Sequence, residues 1–125
     1  MSFVRKLFIL TLFLSLIASA AHAASRIEFI LDVSGSMGAL AQGEKKMDSA
    51  KKAVAATVQS IPANSVVALR LYGHRVPNNQ KAESCKDSQL VIPFGPINKP
   101  QFLQALNQAM PLGQTPIAYS LTEAA

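Results

Sequence analysis

Asp32, Ser34 and Ser36 put one carboxylate and two hydroxyls at i, i+2 and i+4, with Gly35 between the serines. Glycine lets the backbone turn tightly there. Three oxygen-bearing side chains around such a turn can converge on one point. An oxygen shell of this kind suits a hard divalent cation such as Mg²⁺. Read without a ligand, the same residues form an Asx or ST turn that caps a strand-to-helix connection.

The elements that must position these residues follow from the flanking pattern. Ile27-Glu28-Phe29-Ile30-Leu31 is a short apolar run. It predicts a strand over 26–33, buried on both faces. Asp32 then falls at the carboxyl end of a strand, where open α/β sheets place their ligands. Met47, Val54, Val58 and Ile61 recur near a 3.6-residue period, which predicts a helix over 44–60 ended by Pro62. Acidic Glu44 and Asp48 fall in its first turn, where the helix dipole favours them. Val66, Val67, Leu69 and Leu71 predict a second strand over 65–72. Strand, helix and strand in this order make a right-handed βαβ unit with parallel strands.

Residues 73–86 form a polar excursion, and His74 and Arg75 either line the ligand edge or belong to a solvated loop. A third strand is predicted over 89–94, with Pro93 arguing for an edge position. Phe102, Leu103, Leu106 and Ala109 mark a helix over 98–110, and Asn98 with Gln101 has capping-box-like spacing. Thr115 suits the N-cap of a last helix, with Pro116 at its first position. Ile117, Ala118, Leu121 and Ala125 are that helix's expected apolar stripe.

Two of these segments resemble a known family. Asp32-Val33-Ser34-Gly35-Ser36 resembles the D-x-S-x-S motif of von Willebrand factor type A domains, the metal-ion-dependent adhesion site. Gly113-Gln114-Thr115-Pro116-Ile117-Ala118 resembles the segment through which bacterial members supply a metal-binding threonine. Residues 69–75 and 88–94 also look like bacterial members, so the resemblance covers 26–125. It implies a three-layer, Rossmann-like α/β sandwich with a mainly parallel central sheet and an antiparallel third strand at the edge. It implies a metal site of Asp32, Ser34, Ser36 and Thr115, holding Mg²⁺ (or Mn²⁺ or Ca²⁺). It also implies a protein partner that presents an Asp or Glu to the metal. In the family a fourth strand beside the first ends in a further metal-site aspartate. The sequence stops at Ala125 before such a segment, so the expectation is the N-terminal portion of a domain, with the first strand left as an open sheet edge.

Composition sets bounds on the alternatives. The 125 residues are half hydrophobic, enough for one small domain. Residues 1–23 read as a secretory signal peptide, with Arg5 and Lys6, an apolar run over 7–17 and Ala21-His22-Ala23 as the cleavage site. The run is too short to span a bilayer, which takes about 20 residues. The expected organisation is a signal peptide over 1–23 and a partial domain over 24–125. The expected location is the periplasm or beyond, with no stable membrane span after cleavage. Of the +5 net charge, Arg5 and Lys6 contribute two, which leaves +3 on 24–125. Lys45, Lys46, Lys51 and Lys52 read as a solvated helix face. A nucleic-acid surface would need a denser basic patch with interleaved aromatics. Cys85 is the only cysteine and has no partner for an internal disulfide.

No CxxC, HExxH, P-loop or GxGxxG pattern occurs. An enzyme is the competing function class. Asp32 matches the first aspartate of the D-x-D-G-T phosphatase pattern, but Ser34 stands where the second aspartate would act as general acid/base. Around Ser36 the G-x-S-x-G hydrolase elbow lacks its first glycine. A third reading is a structural remnant with no response to Mg²⁺ or Mn²⁺. A metal-dependent interaction module is the reading these residues favour.

Overall fold

The computed structural model describes residues 25–125. The expected signal peptide over 1–23 lies outside the described residues. The chain runs through β1 (Arg26–Asp32), a 3-10 turn (Gly35–Gly38), β2 (Leu40–Ala41), β3 (Glu44–Lys45), α1 (Lys46–Ser60) and β4 (Val66–Tyr72). It continues through α2 (Lys81–Ser84), β5 (Ser88–Pro96), α3 (Lys99–Gln108) and α4 (Ile117–Ala124).

The main sheet has the order β1-β4-β5. β1 lies parallel to β4, from Arg26 opposite Val66 to Asp32 opposite Tyr72. β5 lies antiparallel on the other side of β4. At that edge Pro93 costs no ladder bond to a further strand. Helices α1 and α3 cover one face and α4 the other, which gives the expected α/β sandwich around a mixed sheet.

Strand alternation sorts the side chains. Val67, Leu69 and Leu71 of β4 and Leu31 of β1 join Met47, Val58, Phe102 and Leu106 in one buried cluster. Phe29 meets Phe102 edge-on, with ring centroids 5.3 Å apart. Two lysines tie α1 and α3 together antiparallel. Lys51 Nζ donates to the Asn107 carbonyl (2.8 Å) and Lys99 Nζ to the Gln59 carbonyl (2.7 Å). Each cation thus sits at a helix C-terminus, where the dipole favours it. Asn98 caps α3 as its spacing suggests, accepting from Gln101 N (3.1 Å).

Arg70 organises the opposite face. Its guanidinium donates to Glu28 on β1 (2.8 Å), to Ser88 Oγ on β5 (3.3 Å) and to the Glu123 carbonyl at the end of α4 (2.8 Å). A single buried cation therefore joins three strands and a helix end.

Three local expectations are corrected. Most of β1 is half-buried, because it pairs on one side only; β4, flanked by both other strands, is the buried one. Glu44 and Lys45 do not start the helix. They pair with Ala41 and Leu40 in a hairpin closed by Gln42 and Gly43, both at positive φ. The expected apolar stripe of α4 is not buried either. Ile117 and Leu121 are 52% and 56% exposed, and the residue the helix buries is Ser120.

Candidate metal centre

The Asp32 turn is built where the parallel pair β1 and β4 ends. Val33 N donates to the Tyr72 carbonyl (2.9 Å), extending the ladder by one residue. Asp32 Oδ1 then accepts from Ser34 N (2.8 Å), so the Asx turn is present. Met37 N closes the 3-10 turn on the Ser34 carbonyl (2.9 Å). Ser34 is buried and Ser36 exposed, yet their hydroxyl oxygens stand 3.2 Å apart.

The downstream segment docks on this turn through its backbone. Leu112 N donates to the Val33 carbonyl (3.2 Å) and Gly35 N to the Gly113 carbonyl (2.9 Å). Ser34 and Gly113 form a parallel bridge. Gly113 N reaches the Gly73 carbonyl (2.8 Å), which brings the end of β4 into the same junction. Two glycines make that approach possible. A Cβ on Gly73, which has φ of +70°, would meet the Gln114 carbonyl and lie 2.9 Å from Ser34 Cα. A Cβ on Gly113 would meet the Val76 carbonyl and lie 2.6 Å from Ser84 Oγ. Ser84 Oγ accepts from Gln114 N (2.8 Å) and donates to the Val76 carbonyl (2.9 Å).

Asp32, Ser34 and Ser36 thus share one turn, and the backbone junction sets the Gly113–Gln114 segment that leads into Thr115 against it. Thr115 itself is exposed. It is not the N-cap of α4: Pro116 holds that place, and Ile117 N instead closes a tight turn on the Thr115 carbonyl (2.9 Å). The Thr115 hydroxyl is therefore not committed to capping.

Asp87 supports the junction from behind. It is buried, and its carboxylate accepts from Arg75 N (2.7 Å), Arg75 Nε (2.7 Å) and Val76 N (3.1 Å). Burial pushes its pKa up, but these donors outweigh burial and hold it below the usual carboxylate value. Its backbone carbonyl also takes Gly73 N (3.0 Å). Arg75 is therefore the anchor of its loop. His74 is half-buried, with Nε2 3.2 Å from Gln89 Oε1; burial holds its pKa below the ordinary value, opposed by the Asp87 charge. Tyr72, beside Asp32, is pushed up to about 12, first by burial and then by the Asp32 carboxylate.

Sequence reading missed Gly73, Ser84 and Asp87. Gly73, directly after a strand end, was the one available signal.

No cluster of three or more His, Cys, Asp or Glu occurs among the described residues. A cation at this turn would draw on hydroxyls beside the single carboxylate of Asp32. The geometry of the two serines fits that demand. An octahedral Mg²⁺ with oxygens at about 2.1 Å sets neighbouring ligands about 3 Å apart, close to the 3.2 Å between Ser34 Oγ and Ser36 Oγ. Asp32 Oδ1 is engaged by Ser34 N, and the Tyr72 hydroxyl lies beside the same carboxylate.

A fold and turn of this kind define an α/β domain with a hydroxyl-rich loop at the end of its sheet. The family model for the von Willebrand factor type A domain matches residues 27–125. The chain belongs to this family, whose domains act in protein interaction and adhesion. Two Bacillus subtilis (strain 168) relatives are similar to it. The uncharacterized protein YwmC is 36% identical over 106 residues, covering 83% of this chain and 47% of YwmC. The uncharacterized protein YwmD is 33% identical over 108 residues, covering 85% of this chain and 48% of YwmD. This chain thus spans about half the length of the curated relatives it matches. The fold is also similar to the crystal structure of an uncharacterized membrane spanning protein from Vibrio fischeri. That likeness has a TM-score of 0.62 at 18% identity and covers 82% of this chain and 48% of that one. No helix among the described residues of this chain is long and apolar enough to cross a membrane.

Proposed function

We propose that this chain is the metal-bearing part of an exported interaction module. Asp32, Ser34, Ser36 and Thr115 hold a divalent cation, Mg²⁺ or Mn²⁺. The cation supplies an electrophilic docking point for a carboxylate of a partner protein. Hydroxyls neutralise the charge only in part, so the ion keeps its affinity for an incoming Asp or Glu. The observation that carries this reading is the 3.2 Å approach of the Ser34 and Ser36 hydroxyls in a turn bridged to Gly113. A hydrolase is disfavoured at the same place, because a hydroxyl stands at Ser34 where phosphatase chemistry needs a second carboxylate.

Calorimetric titration of the chain with MnCl₂ tests the site. Ser36→Ala and Thr115→Ala alter exposed residues and are expected to weaken binding by about tenfold or more. Unchanged Mn²⁺ affinity in both variants would show the assigned ligands to be wrong. For export, the mass of the protein recovered from the periplasmic or culture fraction decides. A chain beginning at Ala24 is expected, and recovery from the cytoplasm alone would contradict it.

A further inference from the structure

The polar loop over 73–87 grips both halves of the site. On one side, a Cβ on Gly35 would come within 2.8 Å of Asn78 Nδ2, so the Asn78 amide lies against the Asp32 turn. On the other, the loop holds Gln114, the residue between the bridged Gly113 and Thr115. It holds it at two points. Gln114 N donates to Ser84 Oγ (2.8 Å) and Gln114 Nε2 to the Asn78 carbonyl (3.1 Å).

Ser84 is the fixed end of this grip. It is buried, and its hydroxyl works in both directions, accepting from Gln114 N and donating to the Val76 carbonyl (2.9 Å). Val76 is held in turn, because its N–H donates to the Asp87 carboxylate (3.1 Å). Asp87 N closes the ring on the Ser84 carbonyl (3.2 Å), and Ser84 N is tied to the Gln80 carbonyl (2.8 Å). The hydroxyl is thus fixed within the loop before it meets the distant segment. Thr115 itself is exposed, so surrounding packing does little to place it.

We infer, resting on the metal reading above, that Ser84 is a positioning residue for Thr115. By holding Gln114 it sets the direction in which the chain enters Thr115, and so where the Thr115 hydroxyl stands relative to the Asp32 turn. The 73–87 loop, outside the assigned ligands, thereby governs metal affinity. Groups that orient a ligand from behind carry about tenfold or more of such affinity.

A double-mutant cycle on the full chain, read by calorimetric titration with MnCl₂, tests this. Ser84→Ala is expected to weaken Mn²⁺ binding about tenfold while Thr115 is present, and less than about twofold in the Thr115→Ala background. Ser84→Ala strands two backbone groups, so Gln114→Ala serves as the milder variant and decides alone if circular dichroism shows Ser84→Ala unfolded. It frees only the carbonyl of exposed Asn78. It should weaken binding about two- to threefold, again only with Thr115 in place. Coupling is reciprocal, so saturating MgCl₂ should slow hydrogen exchange of the Gln114 amide about fivefold or more in the wild type and not in Thr115→Ala. Equal losses with and without Thr115, unchanged Mn²⁺ affinity in the folded variants, or Gln114 exchange that ignores the metal would each overturn the positioning role. Undiminished Mn²⁺ affinity in Thr115→Ala would instead bring down the metal reading beneath it.

Discussion

The two faces of the sheet are built from opposite materials. Toward α1 and α3, β4 presents Val67, Leu69 and Leu71 to a dry aliphatic and aromatic cluster. Toward α4 it presents Ala68, Arg70 and Tyr72, and its main tie is the Arg70–Glu28 ion pair. The first face gains from apolar burial, at roughly 25 cal/mol per Å². The second gains from directed bonds that satisfy a buried charge, which fix geometry more than they add stability. Asp32 belongs to the second face and Val33 to the first, so the Asp32 turn sits at the seam. Its shape depends on packing beneath it and on hydrogen bonds above it.

Truncating the packed face is the strongest way to probe this contrast. Phe102→Ala removes a ring that is 2% exposed and is expected to cost about 3–5 kcal/mol. Urea unfolding measures it, and a loss under about 1 kcal/mol would show that the two faces do not differ as described.

Breaking the ion pair comes next. Arg70→Ala strands the Glu28 carboxylate, whose side chain is 11% exposed, and is expected to cost about 3 kcal/mol. The apolar double replacement Arg70→Met with Glu28→Leu should recover most of that loss. If the double variant were as unstable as the single one, the pair would supply net stability and not geometry alone.

The loop anchor gives a smaller effect that depends on pH. Asp87 titrates in the folded protein below its ordinary value of 3.8. Its ionised form therefore adds stability that is fully present above about pH 3.8 and is lost as pH falls through the folded-state value. Thermal unfolding from pH 5 to pH 2 should show this decline, and Asp87→Asn should flatten it. An equally steep acid limb in the variant would assign the dependence to other carboxylates.

Ser120 gives the smallest effect. Its hydroxyl is buried without a hydrogen-bond partner among the described residues. Ser120→Ala removes an unsatisfied polar group and is expected to be neutral or to stabilise by up to about 1 kcal/mol. A clear loss of stability would mean the hydroxyl has a partner.

The sequence carries most of this fold because its signals are local. The apolar run of β1, the run of β4 and the Asn98 cap each announce an element within a few residues. The β2–β3 hairpin escapes because Gln42-Gly43 is a weaker turn signal than Asn-Gly, and Glu44 suits a helix start on charge alone. The α4 stripe is misread for another reason. Periodicity shows that one side of a helix is apolar, but not whether anything covers it. At the site, Asp32, Ser34 and Ser36 are readable because they lie within five residues. Gly73 acts through its backbone, and Ser84 and Asp87 through side chains that bind the backbone of segments far apart in the chain, and no local pattern encodes those contacts.

The central claim is that Thr115, far from the Asp32 turn in sequence, shares a cation with it. Thermal unfolding of the wild type and of Thr115→Ala, with and without MnCl₂, tests this directly. At Mn²⁺ ten times the dissociation constant, wild type should gain about 1.4 kcal/mol, a rise in Tm of roughly 6–11 °C for a domain of this size. Thr115→Ala should keep the metal-free Tm and lose most of that rise. An undiminished Mn²⁺ response in the variant would contradict the shared site.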